Sequence, residues 1–337
     1  MHLWLTKDSV FHPRGYYRLA LSLSQRFSLQ VWGRPFSPLQ IEGPLAQEID
    51  SSVLEALTQP PSPPPNLTIR YLTSPFTSFL HRCYGEHLIC NPSDLPWGLL
   101  RRPLIWDIWE DYQKNFLEDP AYTRIQSSVR IALWKIGKRL KSLPKGYTLA
   151  EYTYASLVPL SRSRILPNAF VKVEEAPPLL PALAQGYFLY TGNLTESWGV
   201  LEAIKAALEK PTHPLVIAGS LKSQAFYQLL RGYLQHHKAW LWIWSLFVPY
   251  PLIQNLQRHA KLMYGLYHPL PHLRDKIPSK FYEAAALGIP LLYPESRSRV
   301  WDAFWRRYRG SSGASELYWH FYERELLEWV EILRSQS

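Results

Sequence analysis

The run Ile277-Pro278-Ser279-Lys280-Phe281-Tyr282-Glu283-Ala284-Ala285-Ala286-Leu287-Gly288-Ile289-Pro290-Leu291-Leu292-Tyr293 decides how this chain is read. Pro278 opens it, a short Ala-rich helix follows, and Gly288 supplies the stop before an apolar strand. Proline near a helix start and glycine just past its end is the expected asymmetry. The free N–H groups and dipole of such a helix start suit an anionic ligand. Lys280 would add a cation there, and Glu283 could hold sugar hydroxyls. The alternative is a solvated Lys280 and a Glu283 that only complements the helix dipole. A capping box is not the explanation, because Glu283 lies four residues after Ser279 and the box needs three.

Outward from this run, the second half of the chain alternates strand and helix. Apolar runs predict strands at 187–191, 215–218, 239–247 and 262–266, with helices at 197–209, 223–234 and 252–259. The first half begins alike, with a strand at 2–5, a loop at 6–15, a helix at 16–27 and a strand at 28–32. Further strands are expected at 66–72, 86–90, 103–108, 147–151 and 164–166, and helices at 76–84 and 122–143. The prolines of 60–65 mark a surface connector, and the Pro- and acid-rich segment 173–183 reads as a linker. The alternation implies an α/β protein with two Rossmann-like, doubly wound domains facing each other across a cleft, ligands lying at strand carboxyl ends. The expected domains are 1–170 and 171–337, the last helix, 317–334, packing back on the first.

Three other segments could carry chemistry. Tyr190-Thr191-Gly192-Asn193-Leu194-Thr195-Glu196-Ser197-Trp198-Gly199-Val200 joins a strand to a helix. Gly192 would let the backbone pass close to a phosphate. Asp107-Ile108-Trp109-Glu110-Asp111-Tyr112 puts acids at a strand's carboxyl end, either in a site or in a solvated loop capping the next helix. His12-Pro13-Arg14-Gly15-Tyr16 is either a loop beside a ligand or a plain surface loop.

These motifs resemble those of GT-B glycosyltransferases, in particular family 4 and its bacterial surface-polysaccharide relatives. Pro278, Lys280, Glu283, Ala286, Gly288 and Pro290 match the "P-x-K-x-x-E-x-x-A-x-G-x-P" segment that opens the nucleotide-sugar site. The resemblance implies that Glu283 holds the nucleotide ribose and that Asp275, eight residues earlier, contacts the donor sugar. The Gly192 segment is similar to "Y-x-G-x-L-x-x-x-x-G". There Asn193 and Trp198 replace the usual Arg and Lys of the diphosphate site, so backbone N–H groups, Lys280 and Arg14, next to Gly15, would hold the phosphates. Asp107, Glu110 and Asp111 fit a "D-x-H-E-D-Y" element, with Trp109 for the histidine, and would orient acceptor hydroxyls. His268 and His272 fall in the loop that would face the sugar. The implied activity is transfer from a nucleotide sugar to a glycan or glycolipid hydroxyl, retaining, with no cofactor and no metal. Residues 1–170 would bind acceptor and 171–337 donor. The departures at Trp109, Asn193, Trp198 and Asp275 leave an alternative: a GT-B-like protein that binds nucleotide sugar or glycan without turnover.

Composition agrees with a folded two-domain protein. The 337 residues are 47% hydrophobic and 19% charged, with 14 Trp and 21 Tyr. A net charge of +10 favours polyanionic partners: nucleotide phosphates, an anionic membrane surface or nucleic acid. No RRM, KH or zinc pattern is visible, so a nucleic-acid partner is not expected. The helix expected at 122–143 carries Arg124, Arg130, Lys135, Lys138, Arg139 and Lys141, and no acid falls within 122–146. That helix reads either as the solvated outer face of a core helix or as a contact to an anionic membrane. Cys83 and Cys90 read as buried free thiols. With no leader-like start and no apolar run long enough to span a bilayer, a cytoplasmic location is expected, possible contact being at the inner face of the membrane.

Overall fold

The computed structural model describes residues 1–9, 11–35, 37–72, 85–90, 103–109, 128, 131–132, 144–221, 223–268, 270–274, 276–295 and 297–336. The expected helix at 76–84, nearly all of that at 122–143, and Cys83, Glu110, Asp111 and Asp275 lie outside them.

In chain order the strands are β1 (His2–Ser9), β2 (Leu29–Arg34), β3 (Gln40–Glu42), β4 (Leu67–Tyr71), β5 (His87–Ile89), β6 (Ile105–Ile108), β7 (Gly146–Leu149), β8 (Ser163–Ile165), β9 (Tyr187–Asn193), β10 (Leu215–Ser220), β11 (Trp240–Ser245), β12 (Ala260–Tyr264) and β13 (Leu291–Leu292). They form two sheets. The first has the order β4-β2-β1-β5-β6-β7-β8 and is parallel throughout. The second has the order β13-β12-β9-β10-β11-β3 and is parallel except for its edge strand β3. Parallel strands covered on both faces should be continuously apolar. β6, β7 and the Leu215-Val216-Ile217-Ala218 run of β10 are buried at every position.

The chain divides into two compact units. One comprises Met1–Pro35, Pro61–Val171 and Tyr318–Ser337; the other comprises Phe36–Pro60 and Lys172–Leu317. The excursion 36–60, expected in the first domain, thus belongs to the second unit. It supplies edge strand β3 and the helix Ser51–Thr58, capped by Asp50. The helix His320–Ser335 belongs to the first unit, where Trp319 just before it donates to Ser22 Oγ at 2.9 Å.

The first unit's core joins Trp4, Trp32, Trp106, Tyr147 and Leu149; the second's joins Tyr190, Val200, Ile204, Ile217, Leu230 and Trp242. The segment 173–183 is not a free linker. Gln254 and Asn255 accept from the Val173 and Leu179 N–H groups at 3.1 and 3.0 Å, and Arg258 donates to the Val173 carbonyl at 2.8 Å. Leu179 and Leu180 are buried.

Candidate functional site

In the second sheet β9 is where the strand order reverses, with β10 and β11 on one side and β12 and β13 on the other. Doubly wound sheets bind ligands outside the strand carboxyl ends at that reversal. After β9 the chain turns through Gly192 at φ 113°. A Cβ at Gly192 would lie 3.4 Å from Lys280 Cε, so two motifs far apart in sequence meet here. Gly199, at φ 73°, starts the helix Val200–Glu209, and a Cβ there would overlap the Leu266 carbonyl. The loop between these glycines therefore rests on the segment after β12. Tyr190 supports it from beneath, its hydroxyl 2.9 Å from the carbonyl oxygens of both Asn193 and Trp198. Asn193 Oδ1 accepts from Ser220 Oγ at 2.7 Å.

Lys280 is 3% exposed, which removes the solvated-lysine reading. Its Nζ stands 3.7 Å from the centre of the Tyr190 ring and 5.0 Å from that of Tyr267, and donates to the Tyr264 carbonyl at 3.4 Å. Burial pulls its pKa from 10.5 to about 7, with the Glu283 charge acting in the opposite sense. The ring faces attract the ammonium as well, by about 2 kcal/mol in a dry site. Burial pushes the phenols of Tyr190 and Tyr267 up, so both stay neutral.

Glu283 is 5% exposed. Gln257, from the helix Tyr250–Arg258, donates from Nε2 to Glu283 Oε2 at 2.7 Å and is itself fully buried. Gln257 thus fixes the orientation of a carboxylate, a group that accepts hydrogen bonds at both oxygens. The helix Ser279–Leu287 begins at Pro278 with no side-chain cap, and Val200–Glu209 also lacks one. Three other helices of this unit are capped, by Asp50, Ser223 and Ser298. The helix Tyr250–Arg258, opened by Pro249, is uncapped as well; the starts of Val200–Glu209 and Ser279–Leu287 are the two that leave donors beside the Gly192 loop and Lys280.

Sequence reasoning passed over Lys276 and Gln257. Lys276 is 8% exposed, and its Nζ lies 5.7 Å from the centre of the Trp198 ring. Trp198 packs edge-on to Tyr267 at 5.4 Å. His268 pairs with Glu202, Nε2 to Oε1 at 3.2 Å, and its backbone N–H donates to the Ser197 carbonyl at 3.1 Å. Among the described residues no three His, Cys, Asp or Glu side chains gather as metal ligands.

In the first unit Arg14 and Asp107 engage each other. Arg14 Nε donates to Asp107 Oδ2 at 2.7 Å and Nη2 to Oδ1 at 2.6 Å, both residues being buried. Nη1 reaches the Leu166 carbonyl at 2.8 Å and Asn168 Oδ1 at 3.1 Å, while Thr148 donates to Asp107 Oδ1 at 2.6 Å. Four of the five guanidinium donors are thus engaged. Arg14 could reach a diphosphate only by stranding the buried Asp107 charge, and Asp107 could turn to an acceptor only by stranding Arg14. The segment is no surface loop either: His12 caps the helix Pro13–Ala20, and Gly15 packs on Leu5.

No protein-family model matches this sequence, and no curated protein matches it. Solved structures do. HepE from Anabaena, in complex with UDP and glucose, aligns over 100% of both chains with a TM-score of 0.58 at 10% identity. The fold is GT-B. The OtsA apo structure aligns over 99% of this chain and 98% of its own, with a TM-score of 0.52 and 13% identity. AviGT4, a glycosyltransferase involved in avilamycin A biosynthesis, gives 0.50 at 11% identity over 100% and 99%. At such identities the likeness lies in the GT-B architecture: two parallel α/β sheets, the second with its order reversing at β9.

Proposed function

We propose that this protein is a family 4-like glycosyltransferase that moves a sugar from a nucleotide donor to a hydroxyl of a glycan or glycolipid. The observation that carries the reading is the meeting of Lys280, Glu283 and the Gly192 loop at the reversal point of the second sheet. Each offers what a nucleotide sugar needs: a buried cation and uncapped helix N-termini for the diphosphate, and a held carboxylate for ribose hydroxyls. Likeness to HepE, solved with UDP and glucose, and to the glycosyltransferase AviGT4 supports the same reading.

In the reaction the bond from the anomeric carbon to the diphosphate oxygen breaks and the acceptor oxygen takes its place. The acceptor's proton leaves to the departing diphosphate or to solvent. Lysine and helix dipoles stabilise the charge that develops on the diphosphate, which favours a metal-independent course. Asp275 would contact the donor sugar and Glu110 and Asp111 the acceptor. Retention of configuration follows from the family 4 resemblance. No helix among the described residues is long and apolar enough to cross a membrane. The basic segment 122–146 would bring the protein to an anionic membrane surface carrying lipid-linked acceptors.

A panel of UDP-, GDP- and ADP-sugars, assayed for nucleoside diphosphate release with and without glycan or glycolipid acceptors, tests the proposal. Release from one donor class, stimulated by an acceptor, is expected. Tight donor binding with no release under any condition would mean a binding protein instead.

A further inference from the structure

Two lysines of one short segment, Lys276 and Lys280, are each more than nine-tenths buried in the second unit. Each stands against one ring of a single aromatic pair. Lys280 Nζ lies 5.0 Å from the Tyr267 ring and Lys276 Nζ 5.7 Å from the Trp198 ring, and the two rings meet at 5.4 Å. Among the described residues the Lys276 ammonium meets only the Trp198 ring. Lys280 has the Tyr264 carbonyl and two ring faces. Burying an ammonium without a carboxylate partner is costly, and an apolar side chain of similar length would serve the fold better. Two such lysines on one site fit an anion that arrives later.

We propose that Lys276 and Lys280 form one seat for the diphosphate of a nucleoside diphosphate ligand, with each ammonium held against one ring of the Trp198–Tyr267 pair. The proposal rests on the nucleotide-sugar reading above. It replaces Arg14, which is engaged by Asp107, with Lys276 as the second cation. Its spatial logic is local. Lys276 places its ammonium over the ring of Trp198, in the loop that follows the Gly192 turn. Trp198 thus acts as a platform for a lysine supplied from elsewhere in the chain. The nearby Gly192 turn and the uncapped starts of Val200–Glu209 and Ser279–Leu287 would add backbone donors to the same phosphates.

Calorimetric titration of the wild-type protein, Lys276→Met and Lys276→Arg with UDP, GDP, ADP, the matching nucleosides and inorganic pyrophosphate tests the seat. For the nucleotide that wild type binds best, Lys276→Met should raise Kd about tenfold or more, the scale of one charge-assisted contact. The nucleoside's Kd should stay unchanged, and Lys276→Arg should keep the diphosphate within about threefold, since it retains the charge. A Lys276→Met protein that folds and binds the diphosphate as wild type does overturns the proposal. If Lys276→Met fails to fold by circular dichroism, Lys276→Gln carries the same comparison. Wild type that binds pyrophosphate through Lys276 but no nucleoside diphosphate would leave the anion seat standing and remove the nucleotide reading. Wild type that binds neither removes both.

Discussion

Replacing Lys280 with methionine should stabilise the ligand-free protein while removing its diphosphate site. The folded-state pKa of about 7 lies below the ordinary 10.5, so between those values the unfolded chain holds a proton that the folded chain lacks. Stability therefore rises with pH across that window, and the full penalty is present below about pH 7. The fall corresponds to about 5 kcal/mol at 1.36 kcal/mol per pH unit. Attraction to the Tyr190 face returns about 1–2 kcal/mol. A net penalty of about 3 kcal/mol remains at and below neutral pH, shrinking to about 1 kcal/mol or less by pH 10. Urea denaturation of both proteins from pH 6 to 10, without ligand, reads the difference directly. Lys280→Met should be the more stable at pH 7, and the two curves should converge as pH rises. Parallel curves would mean that the ammonium is not dehydrated, and the reasoning about an anion-awaiting site would fail. A group kept against stability is what a binding site, rather than a core, requires.

Glu283→Gln should weaken nucleoside binding about tenfold with little change in melting temperature, since a hydrogen bond to a charged group contributes about 1.5–3 kcal/mol; equal nucleoside affinity in mutant and wild type would remove its ribose role. Asp107→Asn and Arg14→Met should each destabilise the first unit by about 3–5 kcal/mol in chemical denaturation, because each strands a buried charge or its donors; a neutral effect would show that the pair is not closed. Reversing Arg130, Lys135 and Lys138 to glutamate should abolish sedimentation with anionic vesicles, and high salt should do the same to wild type; wild type that ignores such vesicles at low salt points to a soluble acceptor.

The alternation of apolar runs with helical periods was enough to read both parallel sheets, and the strands of the second half lie within a few residues of their expected places. Continuous apolarity is a strong signal for a strand covered on both faces. The Gly192 and Lys280 motifs were also legible, since each combines a glycine or proline with a helix start. What was hidden depends on partners distant in sequence. β3 is three residues long and takes its place from pairing with β11, and nothing local marks 36–60 as part of the second unit. The segment 173–183 has the composition of a linker, yet Gln254, Asn255 and Arg258 tie it to the helix Tyr250–Arg258. Arg14 read as a phosphate ligand because its charge is visible in sequence, while its engagement by Asp107 is not. Gln257 and Lys276 are single polar residues whose meaning appears only once Glu283 and Trp198 stand beside them.

The central claim, that the end of β9 and the start of the Ser279–Leu287 helix form a nucleotide-sugar site, is tested most directly by thermal shift against UDP-, GDP- and ADP-sugars. At a hundred times its Kd a ligand adds about 2.7 kcal/mol to stability. One donor class should raise the melting temperature of wild type, and the same donor should shift Lys280→Met by about half as much or less. No shift with any nucleotide sugar, or an equal shift in Lys280→Met, would contradict the account.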